Sequence, residues 1–217
     1  MKITANPNNL LKLFKIDSSL LFLIISNILT IFFAIKGSWN LITIMWIFWS
    51  QSVIIGIFNF LKILNLQEFK TDNFYINDRP VKPTKYTKKF TAFFFAVHYG
   101  IFHLAYMIFL LSSSGELNGI PVNYDNSVPG KEIIWIMITA LIFFSNHLFS
   151  YLKNKENDSK KVRNIGTIMF FPYARILPMH IAICFGLFLM NNSRGILLFL
   201  TLKTLADVIM HQVEHYT

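Results

Sequence analysis

Long apolar runs recur along this chain, and short polar segments separate them. Six runs are long enough to cross a bilayer, which takes about 20 residues per helix. They lie near 18–36, 39–62, 90–112, 132–152, 172–191 and 195–215. The pattern predicts an all-α fold, a polytopic bundle of about six transmembrane helices forming one integral membrane domain over residues 1–217. The fifth run holds two prolines, Pro172 and Pro178. Proline suits the first turn of a helix, where its missing N–H costs nothing. The helix is therefore expected to start near Pro172, with 164–171 as an interfacial or re-entrant lead-in. Pro178 is expected to kink it. The connection from 63 to 89 is rich in proline and charge and reads as a loop.

Composition agrees with a bilayer as solvent. Hydrophobic residues make up 54% of the chain and charged ones only 14%, against about 25% in soluble domains. The formal net charge of +9 would suggest nucleic acid in a soluble protein. Here the basic residues cluster in alternate connections, 15 on one side against 3 on the other, with Arg175 and Lys203 inside predicted spans. Such asymmetry is a topology signal, and it directs both termini to the cytoplasmic side of the plasma membrane. The partner it implies is the lipid bilayer, not a nucleic acid. The single cysteine, Cys184, cannot form an intramolecular disulfide. No cleavage site for a signal peptide follows the first apolar run.

The candidate chemistry lies in the last run, LKTLADVIMHQVEH (202–215). Lys203, Asp207, His211 and His215 recur every four residues and so form one row on a helix face, with Glu214 beside it. Each charge near a bilayer centre costs about 2.5–3.5 kcal/mol on insertion scales. The row should face the bundle interior or a wet cavity, with Lys203 and Asp207 partly neutralising each other. The predicted topology sets His98, His147 and His180 in the same cytoplasmic half as His211 and His215, together with Asn59, Asn146 and Arg175. On the third helix Tyr99, His103 and Tyr106 share a face, and His98 is turned roughly 140° away from His103.

Three readings follow. In the first, His211 and His215 chelate a divalent metal, zinc, with His98 or His180 as a further ligand. Asp207 or Glu214 is then the base or orienting group, and the metal activates water on a small-molecule or lipid substrate in the membrane. In the second, the same residues line a proton-coupled transport path. In the third, histidines of two helices hold haem b. Beside these stand plainer alternatives. The histidines can satisfy ordinary hydrogen bonds, His211 and His215 can snorkel to the surface, and Lys203 with Asp207 can be a structural ion pair.

The metal families known to use such pairs fit only in part. Six histidines with one H-x-x-x-H pair are too few for the di-iron boxes of membrane desaturases. The pair His211 and His215 resembles the last-helix motif of the progestin/adiponectin-receptor and alkaline-ceramidase superfamily, which binds zinc among its helices. The closer resemblance covers most of the chain. The stretches at 39–63, 93–106, 172–183 and 202–215 resemble an uncharacterised prokaryotic family of multi-pass membrane proteins, a domain of unknown function. That resemblance implies a multi-pass fold and no activity.

Overall fold

The computed structural model describes residues 20–21, 24–25, 27–28, 31–32, 36, 39, 41–113, 130–184 and 193–216. Within these stand five helices, α1 (Leu41–Asn65), α2 (Lys85–Ser113), α3 (Gly130–Lys160), α4 (Ile165–Cys184) and α5 (Ser193–Tyr216). Most of the span expected at 18–36 lies outside the described residues, although its described positions, Asn27 among them, are helical. Among the described residues three helices are long and apolar enough to cross a membrane: α1, α2 and α3.

The apolar composition of α1 explains its place at the centre. Half of its apolar window is buried, against 28% for α2 and none for α3. Ile42, Ile44, Met45 and Ile47 are almost wholly enclosed, and with Phe95 of α2, Ile165 of α4 and Phe199 of α5 they form one core. Side-chain partners give the helix directions. Trp49 and Ser52 of α1 meet His103 and Tyr99 of α2, so these two helices are antiparallel. Phe58 packs on Phe144 and Asn65 reaches Tyr151, so α1 and α3 run parallel. His98 meets Tyr173 and Tyr106 meets His180, so α2 and α4 run parallel. From α1 to α4, consecutive helices thus alternate in direction.

Close approach of α1 to α2 depends on Gly56. A Cβ there would come 2.5 Å from Cε1 of Tyr99. Glycine leaves that space to the aromatic ring.

The connection expected to be a loop is built. It holds three short strands, β1 (Phe69–Lys70), β2 (Tyr75–Ile76) and β3 (Arg79–Pro80), and a fourth, β4 (Arg163–Asn164), precedes α4. β1 pairs in parallel with β4, and β2 with β3 as an antiparallel hairpin. Asn77 and Asp78 turn the hairpin with φ of 50° and 59°, the two positive angles that a type I′ turn needs. Lys88 donates to the carbonyl of Leu66 just past α1, and the amide of Gln67 donates to the carbonyl of Ser159 on α3. The proline and charge content of 63–89 signalled a break in the helices. It did not show that β4, nearly a hundred residues later, would supply a strand partner.

The helix of the fifth apolar run, α4, also differs from expectation. It begins at Ile165, not near Pro172. Asn164 is its cap, its Oδ1 accepting from the amides of Gly166 and Thr167 at 2.9 and 3.4 Å, as an Asn cap does. Pro172 is therefore interior, and the carbonyl of Ile168, four residues earlier, loses its helical donor. Asn59 of α1 supplies a replacement, its Nδ2 donating to that carbonyl at 3.1 Å. A tertiary contact that local sequence cannot show lets the helix run through its proline. Pro178 also lies within α4, and its side chain is outside those described.

α3 is longer than its apolar run. α3 has 31 residues, roughly 46 Å, against a hydrocarbon core of roughly 30 Å. Its polar end, from Lys153 to Lys160, extends the helix past its apolar part.

Candidate functional site

The row on α5 is the core of the site. Lys203 and Asp207 lie one turn apart, and their Nζ–Oδ2 separation is 2.5 Å. The expected intrahelical pair is present. Asp207 is 5% exposed, too enclosed for water to screen it. A third residue joins the pair from the helical positions before α1. The amide of Asn27 donates to Asp207 Oδ2 at 3.2 Å, and its Oδ1 accepts from Lys203 Nζ at 2.7 Å. One side chain thus satisfies both charges, donor to the anion and acceptor from the cation. Lys203 Nζ also sits 4.4 Å above the ring of Phe48, a cation–π contact. Arg175 of α4 lies within electrostatic reach of both Asp207 and Tyr99.

Asn27 belongs to the candidate site and was not singled out from the sequence. Its signal was a lone amide inside an otherwise apolar run. Nothing local could pair it with a residue 180 positions later.

The aromatic face of α2 is the second part. Tyr99, His103 and Tyr106, which share a face of the helix, are each buried, at 4%, 5% and 6% exposure. The hydroxyl of Tyr99 lies 2.7 Å from Ser52 Oγ and 3.1 Å from the Ser52 carbonyl. His103 Nδ1 lies 2.9 Å from the carbonyl of Tyr99. A carbonyl only accepts, so Nδ1 carries the proton. Nε2 is then the other end of the ring, buried and without a hydrogen-bond partner among the described residues.

His98 and His180 lie at the α2–α4 interface. Both are exposed, each joined through Nδ1 to a tyrosine of the opposite helix. His98 meets Tyr173 at 2.8 Å, and His180 meets Tyr106 at 3.2 Å. His98 also stacks on Phe94, with ring centroids 5.3 Å apart. The rotation of His98 away from His103 is as expected. His147 of α3 packs against Phe143 and Phe58.

Among the described residues no group of three or more His, Cys, Asp or Glu side chains could hold a metal. His211, Glu214 and His215 lie on α5, but their side chains are outside those described. The structure therefore brings Asp207 together with Lys203, Asn27 and Arg175. The buried polar groups form hydrogen-bonded clusters at helix interfaces. Such clusters can accept, hold or pass a proton, and they can rearrange when a charge changes.

The chain matches DUF6498, a family of unknown function, over residues 9–217. It belongs to that family. No curated protein and no solved structure matches it. DUF6498 membership thus covers nearly the whole chain and carries no activity with it. For this DUF6498 protein the apolar helices α1 to α3 are compatible with a place in a membrane.

Proposed function

We propose that the protein is a multi-pass plasma-membrane protein of about six spans, with both termini cytoplasmic, and that it couples proton movement to transport of a small molecule or ion. One observation carries this reading. A buried carboxylate, Asp207, is held by a cation on its own helix and by an amide from another segment. Charges at membrane depth are costly and are retained where they serve an ion or substrate path. Protonating Asp207 removes the charge that holds Lys203 and weakens the grip of Asn27. The carboxylate thus links its protonation state to the packing of two segments, the kind of two-state contact a coupled carrier needs. The alternation of helix direction and the one-sided distribution of basic residues support the orientation.

The test is proton flux into proteoliposomes loaded with a pH-sensitive dye under an imposed membrane potential. Wild-type protein should carry a flux that Asp207→Asn abolishes. Equal flux in the two proteins overturns the reading.

A second reading rests on a separate observation. α5 continues unbroken to Tyr216, so His211 and His215 are one turn apart on the face that carries Lys203 and Asp207. They are suited to bind zinc, with His98 or His180 as an added ligand and Asp207 or Glu214 as base, for water attack on a membrane-embedded substrate. Zinc in the purified protein that is lost in His211→Ala supports it, and absence of metal overturns it. An intense Soret band instead selects haem b between histidines.

A further inference from the structure

A cleft opens where α1 and α3 end and α4 begins. Lys62, Asn65, Tyr151, Lys155, Asp158 and Arg163 line this shallow, solvent-open cleft. Three of these six are cations and one is an anion. The anion is already engaged: Asp158 lies 3.9 Å from Arg163 and 3.5 Å from Lys161. Among the described residues neither Lys62 nor Lys155 has a carboxylate partner.

Local structure fixes these groups in place. Lys62 occupies the last turn of α1, where helix carbonyls favour a cation. The parallel pairing of β1 with β4 sets Arg163 opposite Phe69. Lys155 Nζ lies 5.9 Å above the ring of Tyr151. The Tyr151 hydroxyl accepts from the amide of Asn65, so its own hydrogen remains to donate. The cleft therefore offers two uncompensated ammonium groups and an oriented O–H donor around one opening.

We propose that this cleft binds a phosphate group, and that its source is the headgroup of an anionic phospholipid. The donor set matches phosphate oxygens, which take charge-assisted hydrogen bonds from several cations at once. The location favours a lipid source. The cleft lies at the end of α1 and α3, two of the three helices apolar enough to span, where basic residues meet an anionic leaflet. A general topology signal needs no such convergence, because scattered lysines serve it equally well.

The experiment is calorimetric titration of the full-length protein in detergent micelles with short-chain phosphatidylglycerol, phosphatidylcholine and inorganic phosphate. Phosphatidylglycerol should bind saturably at one site per chain and phosphatidylcholine should not. Lys62→Gln and Lys155→Gln should each weaken binding about fivefold, the effect of one cation near an anionic surface. Tyr151→Phe should weaken it as well. Lys153→Gln, exposed on the same helix outside the cleft, should leave it unchanged. Saturable inorganic phosphate that competes with the lipid assigns the same site to a free phosphate. No saturable binding of either anion overturns the proposal. So does equal weakening by Lys153→Gln and Lys62→Gln, which would mark a diffuse surface effect. Circular dichroism and thermal unfolding of each variant separate loss of binding from loss of fold.

Discussion

The side-chain amide of Asn59 donates to the backbone carbonyl of Ile168 at 3.1 Å. That carbonyl is the one Pro172 leaves without a helical donor, so a residue of α1 repairs the interior of α4. Asn59 is 8% exposed and Ile168 6%, so no water competes for the bond. Asn59→Leu should leave the carbonyl buried and unsatisfied, at a cost of about 1–3 kcal/mol. Pro172→Ala restores an N–H beneath it. In thermal unfolding of detergent-solubilised protein, the Leu substitution should cost markedly less in the Pro172→Ala background than alone. Equal costs would show that the amide serves another purpose.

The charges of Lys203 and Asp207 should be worth more together than apart. Removing one leaves the other buried without its counter-charge, which costs about 3–5 kcal/mol. Asp207→Asn and Lys203→Met should each lower the unfolding midpoint strongly. The double variant should recover part of the loss. Additive losses would mean that the two groups do not interact in the folded protein.

Asn27 bridges that pair, and its loss should be felt by both partners. Asn27→Ala removes one donor and one acceptor, at about 1.5–3 kcal/mol for bonds to charged groups. The loss should shrink to near nothing when Lys203 and Asp207 are already replaced by Met and Asn. A loss that persists in that background assigns the effect to packing.

Gly56 and Tyr99 approach too closely for any larger residue. Gly56→Ala should force the ring aside and break its bond to Ser52, costing about 1–3 kcal/mol through overpacking. Tyr99→Phe keeps the ring and loses the bond, about 1 kcal/mol. Adding Tyr99→Ala to Gly56→Ala should relieve the clash. If Gly56→Ala unfolds at the wild-type midpoint, the approach is looser than the distance implies.

The hairpin turn carries positive φ at Asn77 and Asp78. Asp78→Gly should preserve or slightly raise stability, because glycine adopts that conformation freely. Asp78→Val should open the hairpin, at about 1–2 kcal/mol for a left-handed β-branched residue. Amide exchange at Val81, whose N–H donates to the Phe74 carbonyl at 3.1 Å, reports the outcome.

Helices α1 and α2 were legible in the sequence, as was the pairing of Lys203 with Asp207, because each depends on local composition or on spacing within one helix. Apolar runs mark spans whatever lies beside them, and residues four apart meet on any helix. The buried face of Tyr99, His103 and Tyr106 follows from the same periodicity. The start of α4 was not legible, because a proline reads locally as the first turn of a helix, and only a distant amide that replaces the missing bond lets it sit in the interior. The order in the 63–89 connection escaped for a related reason, since its strand partner is β4. Asn27 could be seen as a polar residue in an apolar run, but not as the bridge between two charges on the last helix. The sequence by itself determined that the chain is helical and suited to a membrane, since hydropathy and helical period are properties of short stretches. Only the tertiary structure decided which polar groups meet, because hydrogen bonds and ion pairs across 100 or more residues depend on how the helices pack.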